Sequence, residues 1–143
     1  MSFTYEYPRP AVTVDIILVT KDSIPKVLFI ERKHSPYEGT WAFPGGFLDM
    51  DEDLETAALR ELKEETHIQN IQIKQFKSYG AVDRDPRGRT VSIVFYAFVE
   101  DELNAQAGDD ADKAKWFGLD EIPNLAFDHE LILKEFKEAL LNT

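Results

Sequence analysis

The first apolar stretch of the chain, "AVTVDIILV" at residues 11–19, alternates, with Val12, Val14, Ile16 and Leu18 on one face and β-branched residues on both. That pattern predicts a strand. After the turn "KDSIPK", a second strand reads "VLFIER", Val27 to Arg32. The segment "SPYEGTWAFPGGF" is dense in Pro and Gly and predicts a loop with one short extended piece around Trp41 to Phe43. The period then changes. "LETAALRELKEET" consists of good helix formers, with Asp53 placed as N-cap and Glu55 in the first turn, where the helix dipole favours an acid. Residues 70–82 and 90–99 predict two further strands, joined by "RDPRGR" as a hairpin with a long turn. A loop, "NAQAGDDAD", leads to a short strand at "AKWFGL". The last segment, "FDHELILKEFKEALLN", predicts a helix capped by Asp128, with Ile132, Phe136 and Leu140 at i, i+4, i+8 as its buried stripe. No internal repeat, low-complexity tract or linker interrupts this order, so strands and helices interleave in one α/β domain over residues 1–143.

Charge narrows the function. Acidic residues number 27 against 16 basic, a formal net charge of -11, which is a poor surface for binding nucleic acid through its phosphates. An anionic ligand therefore needs a metal ion or a local arginine cluster to reverse the sign. The absence of cysteine removes disulfides, thiolate zinc sites and a cysteine nucleophile together. The apolar run near the start is short, carries Asp15 and follows "YEYPRP" rather than a basic leader, so no signal peptide or membrane span is expected and the cytoplasm is the expected location.

The charge is densest in "RELKEETHIQ", Arg60 to Gln69, near the end of the first predicted helix. A solvated face is the ordinary explanation for such a run. Helical geometry argues against it. With Leu54 at zero and a turn of roughly 100° per residue, Ala58 falls at about 40°, Leu62 at about 80° and Ala57 at about 300°, which marks the core side. Glu65 then falls at about 20°, Glu61 at about 340° and Glu64 at about 280°. Glu61 and Glu65 thus project with the leucines and alanines, while Asp53, Thr56 and Lys63 lie opposite. Carboxylates in the last turns also face the negative end of the helix dipole, at a cost of about 0.3–1 kcal/mol each, and repel one another at i, i+4. Arg60 alone cannot neutralise three of them. A hard divalent cation can, and Mg²⁺ is the usual choice where a phosphate also binds, with Mn²⁺ as the alternative.

Read from its upstream glycine, the segment is "GFLDMDEDLETAALRELKEETHI", Gly46 to Ile68. It resembles the Nudix box, G-x5-E-x7-R-E-U-x-E-E-x-G-U with U aliphatic. Gly46, Glu52, Arg60, Glu61, Leu62, Glu64, Glu65 and Ile68 match at the required spacing, and His67 stands where the second glycine belongs. "GTWAFPGG" resembles the family's usual lead-in. "YPRPAVTVDIIL", "RDPRGR", "AGDDA" and "FDHELIL" are similar to the branch containing ADP-ribose pyrophosphatases and the nicotinamide-metabolism regulators built on the same domain. Those regulators carry a further winged-helix segment, for which no room is expected here.

The resemblance implies an α/β/α sandwich with a mixed β-sheet, and a homodimer. It also implies Mg²⁺-dependent hydrolysis of a nucleoside diphosphate linked to another moiety, above all ADP-ribose to AMP and ribose 5-phosphate. An oxidised nucleoside triphosphate is the alternative substrate, and a non-catalytic ADP-ribose sensor the alternative function. The expected partner is a small-molecule nucleotide, with neither nucleic acid nor membrane. By the same resemblance Glu61 and Glu65 are the principal metal ligands, Glu64 is a further ligand or supporting acid, and the Gly45 carbonyl completes the site. Arg60 and Glu52 are implied as an ion pair that orients the carboxylates, with Gly45 and Gly46 leaving space beside the ion. A later acid, Asp109 or Asp110, competes with Glu61 as catalytic base, with Asp110 the preferred one of the pair.

Two weaker signals concern the substrate. "RDPRGR" concentrates Arg84, Arg87 and Arg89 in an acidic protein; Asp85, Pro86 and Gly88 alone account for a turn, but three arginines there also make a site for a phosphate or terminal ribose. Arg32, at the end of its strand, is a similar candidate. His34, His67 and His129 show no metal-ligand spacing and no neighbouring serine with an orienting acid, so a Ser-His-Asp hydrolase is not supported. Tyr5 and Tyr7 suit either a core or a dimer interface.

Overall fold

A computed structural model describes residues 2–103 and 111–141. Strand β1 (Ala11–Thr20) lies at its centre and is buried on both faces from residue 13 onward. Its alternation sorts two cores. Val14, Ile16 and Leu18 pack with Ala57, Ala58 and Leu62 of α1 (Leu54–Thr66), while Ile17 and Val19 pack with Ile132, Leu133 and Phe136 of α2 (His129–Phe136). Helices therefore cover both sides of the sheet, giving an α/β/α sandwich.

The sheet path runs β3 (Trp41–Ala42), β2 (Lys26–Arg32), β1, β6 (Thr90–Val99), β5 (Lys74–Tyr79); β4 (Gly45–Phe47) pairs with β1 and β7 (Ala111–Gly118) with β2. The β1 and β6 strands are parallel over their full length, and the remaining strand pairs are antiparallel, so the sheet is mixed. Because β4 joins β1 only beside Thr13 to Asp15, the loop before α1 is held against the polar end of the central strand. This is the device that brings helix, glycines and sheet to one place.

Several expectations shift. The strand expected over 70–82 shortens to β5: at its start Asn70 takes a positive φ of 64° and is not extended, and beyond Tyr79 the chain passes into a turn at residues 82–83. Asp53 and Asp128 stand at the N-cap positions but neither side chain caps its helix; the Asp128 carboxylate is taken by Arg84 instead. Leu140 is exposed rather than buried, because the last helix passes into a π-helical turn at Lys137–Leu141 that rotates the stripe, and Leu141 packs in its place. His67 closes α1 at φ 64°, in the left-handed region, with its N–H donating to the Lys63 carbonyl at 2.9 Å. It takes the conformation a glycine would adopt freely.

Candidate active site

The last two turns of α1 run beside β4, and the contact is made by carboxylates. The Gly45 N–H donates to Glu65 Oε1 at 2.7 Å. A Cβ added to Gly46 would lie 2.6 Å from the Glu61 carboxylate, and one added to Gly45 would lie 2.1 Å from the Val14 carbonyl oxygen. Both glycines are thus required by close approach. Glu65 is buried, and burial pushes the Glu61 carboxyl up against the opposing pull of Arg60.

Arg60 organises the acids. Its Nε and Nη2 fork onto Glu52 at 2.9 and 2.5 Å, and Nη1 donates to Glu61 Oε1 at 2.8 Å and to Glu64 Oε2 at 3.0 Å. Asp49 lies 3.6 Å away. The fork from Arg60, with a backbone N–H from Asp49, holds the Glu52 carboxyl down at about 2. One guanidinium thus faces four carboxylates, Asp49, Glu52, Glu61 and Glu64, and the excess negative charge calls for a further cation. Glu64 is the outlier: its side chain is 56% exposed and does not line the cavity that Glu61 and Glu65 enter. Among the described residues no three His, Cys, Asp or Glu side chains form a ready metal cluster. Two adjacent carboxylates still fit Mg²⁺, which typically takes one or two from the protein and keeps the rest of its shell for water and substrate phosphate.

That cavity measures about 490 Å³ and opens between α1, β4 and the segments before β6 and α2. The arginines of "RDPRGR" divide around it. Arg84 reaches the cavity, but its side chain is only 4% exposed and its donors are committed, two to Asp128 at 2.6 and 2.8 Å and one to Ser92 Oγ at 2.7 Å. Arg87 lines the mouth, forked onto Asp85 and lying over the rings of Phe47 and Phe127 at 4.8 and 5.2 Å. Burial would raise the Asp85 carboxyl, but hydrogen bonds from the Arg87 side chain and N–H hold it below its usual range. Arg89 is not brought to the cavity: it donates to the carbonyls of Gly80 and Ala81 and latches the turn. The three-arginine anion site is therefore reduced to Arg87 with Arg84 fixed beneath it. Arg32 joins them at the mouth, over the Phe127 ring at 4.9 Å, its pKa lowered by burial and by neighbouring Arg87. Asp109 and Asp110 lie outside the described residues.

The cavity floor holds groups that periodicity did not single out. On the α2 face of β1 the apolar series Ile17 and Val19 gives way to Asp15 and Thr13. Thr13 pairs across the sheet with Ser92, and their hydroxyls are in hydrogen-bond contact. Burial pushes the Asp15 carboxyl up to about 7, against the pull of Arg84 and a hydrogen bond from Ser92. Burial drives His129 down to about 3, so its imidazole is neutral. Its Nδ1 accepts the Phe43 N–H at 3.1 Å, which leaves the ring proton on Nε2, 4.0 Å from Asp15 Oδ2. Phe127, held at φ 52°, sets its ring beside His129 at the mouth. A charged residue inside an otherwise apolar strand was the available signal for Asp15; nothing in the sequence pairs it with His129.

Comparison with known proteins follows this geometry. The NUDIX domain family matches residues 9–140. The chain is 47% identical over 135 residues to an ADP-ribose pyrophosphatase of Methanocaldococcus jannaschii, covering 91% of this chain and 75% of that protein. It is 33% identical to the ADPR responsive transcriptional repressor NtrR of Acinetobacter baylyi, covering 96% of this chain but only 57% of the repressor. Among solved structures, the NUDIX domain of Shewanella oneidensis NrtR complexed with ADP ribose superposes with a TM-score of 0.87 at 33% identity, over 94% of this chain and 90% of that one.

Proposed function

The chain belongs to the Nudix family, and on that premise we propose that it is a pyrophosphohydrolase that cleaves ADP-ribose to AMP and ribose 5-phosphate. The observation that carries the reading is the convergence of an acidic helix face and an arginine-lined mouth on one cavity, in a chain that is 47% identical to an ADP-ribose pyrophosphatase. A diphosphate bridging the two would meet cation-binding carboxylates at one end and guanidinium donors at the other.

Glu61 and Glu65 would hold Mg²⁺, or Mn²⁺, with Glu64 and the Gly45 carbonyl as the remaining protein candidates. The bound ion would neutralise phosphate oxygen charge and acidify the attacking water. Arg60 and Glu52 orient these acids without touching the substrate. Arg87 and Arg32 bind the substrate from the mouth, and Arg84 stiffens the floor beneath them. The base that takes the water proton is Glu61 or Asp110. Negative charge throughout the chain favours a small nucleotide over nucleic acid as partner. Exposed Phe3, Tyr5 and Tyr7, together with Met50, supply an apolar surface for a homodimer.

Similarity to the repressor favours a second reading, an ADP-ribose sensor. Retention of Glu61, Glu64 and Glu65 favours the enzyme, since a sensor has no use for the whole acidic set. Phosphate release from ADP-ribose in the presence of a phosphatase, with and without Mg²⁺, separates the two: Mg²⁺-dependent release is expected, and no release in either condition would sink the enzyme reading. A substrate panel tests the nucleotide, and a triphosphate hydrolysed much faster than ADP-ribose would overturn the substrate assignment.

A further inference from the structure

The deep end of the cavity contains a donor and an acceptor that face each other without meeting. His129 is a neutral imidazole whose Nδ1 is already an acceptor for the Phe43 N–H, so Nε2 carries a proton to donate. The nearest carboxylate oxygen, Asp15 Oδ2, lies 4.0 Å away, too far for a direct hydrogen bond. Both side chains are at least nine-tenths buried, and both line the cavity.

The neighbours leave this gap to something else. Ser92 Oγ accepts from Arg84 at 2.7 Å and also contacts Thr13 Oγ1. With Ser92 donating to Asp15, the cluster forms a closed chain of donors and acceptors beside Oδ2. Arg84 is pinned to Asp128 and cannot swing in. A single oxygen can stand within hydrogen-bond reach of two atoms 4.0 Å apart, accepting from the N–H on one side. An alcohol serves in either state of Asp15, accepting from both neighbours when the acid is protonated and donating to it when it is ionised, whereas a phosphate oxygen fits the protonated acid alone.

We propose that Asp15 and His129 form a hydroxyl-recognition site that selects a sugar alcohol of the substrate, making both specificity-determining residues. This rests on the nucleotide-sugar reading of the preceding section. The site adjoins the reaction centre, because Gly45, whose N–H holds Glu65, packs against the Asp15 side chain. A ribose hydroxyl seated there would fix the sugar while leaving its phosphate at the carboxylates.

The test uses the intact protein with Mg²⁺ and compares ADP-ribose with analogues lacking one hydroxyl, on the adenosine ribose or on the terminal ribose. The analogue that fails reports which ring is read. One analogue is expected to lose about 10- to 100-fold in kcat/KM, the range for a hydrogen bond to a charged group. Asp15→Asn, which keeps the side-chain shape, is expected to bring ADP-ribose down to a similar level and leave that analogue unchanged, so the two losses do not add. His129→Asn keeps an acceptor for the Phe43 N–H, removes the Nε2 donor and serves as the second variant. Equal turnover of every analogue by the unaltered protein, or an equal loss on every substrate in both variants, would overturn the proposal and leave the gap to a water molecule. If ADP-ribose is not hydrolysed, the functional reading fails separately; calorimetric binding of the same nucleotides then reads hydroxyl selectivity without turnover, and equal affinities would reject it.

Discussion

The Glu61 carboxylate rests on the backbone of Gly46, its carbon and both oxygens lying 2.6 Å from the place a Cβ would occupy. Gly46→Ala must therefore displace the carboxylate or the strand. Because the far end of a side chain yields more easily than β4, activity is expected to fall by about 100-fold, the scale for a misplaced catalytic group, while the melting temperature changes little. Steady-state hydrolysis with thermal unfolding checks this; an active Gly46→Ala protein would show that Glu61 need not sit where it does.

Glu65→Gln retains an oxygen for the Gly45 N–H but removes a negative charge from the last turn of α1. Activity is expected to drop by about 100-fold or more, with stability equal to or above that of the unaltered protein, since repulsion at the negative helix end is relieved. Near-normal turnover across a Mg²⁺ titration would refute its role as a ligand.

The three arginines near the turn should separate by experiment. Arg84→Ala strips the buried partner from Asp128 and is expected to cost about 3 kcal/mol in denaturant unfolding. Arg87→Ala is expected to raise KM and also to lower stability, since it leaves the buried Asp85 carboxylate without its guanidinium fork; Arg89→Ala is expected to leave kinetics unchanged. Equal KM effects for Arg87 and Arg89 would contradict the geometry at the mouth.

Two buried groups titrate in opposition. The Asp15 carboxyl is raised from 3.8 to about 7, so its contribution is complete below 3.8 and is lost as pH rises through 7. His129 is lowered from 6.5 to about 3, so its contribution is complete above 6.5 and is lost as pH falls through 3. Between 3.8 and 6.5 the folded protein keeps a proton on Asp15 that the unfolded chain releases, and the unfolded chain gains one on histidine, so the pair leaves stability level. Asp15→Asn removes one side of this balance. Its stability is expected to fall on acidification below 6.5 more steeply than that of the unaltered protein, by up to about 1.4 kcal/mol per pH unit. Parallel unfolding profiles would show that the two groups are not poised this way.

His67 offers the reverse experiment. It is exposed and left-handed at φ 64°, so His67→Gly relieves the steric cost and is expected to stabilise by about 0.5–1 kcal/mol with catalysis unchanged. A destabilised glycine variant would mean that the imidazole makes a contact worth more than the strain.

The parts legible in the sequence were those governed by local period. Angular position alone put Glu61 and Glu65 on the inner side of α1 and Glu64 to one side, while histidine in place of glycine left open a left-handed helix end or one of different geometry, of which the left-handed one is found. Tertiary choices were not legible. Whether Arg84 or Arg89 would face the cavity depends on Asp128 and on the Gly80 carbonyl, neither of which a turn motif reveals. Asp15, Ser92 and His129 come from three elements, and each looks locally like a core or cap position. Leu140 was misplaced because a π-helical turn changes the phase without any proline or glycine to announce it.

The parallel pairing of β1 with β6 also has a kinetic meaning. Thr13 and Ser92, in contact at the cavity floor, are 79 positions apart in the chain. Long-range pairings of this kind close slowly, because loop entropy is lost before the contacts form. The hairpin of β5 and β6 and the turns of α1 can form locally, but the pocket exists only after the central strand has been laid down between them. Recovery of hydrolysis during refolding should therefore trail the return of helical signal, which makes turnover a clock for the last long-range step of folding.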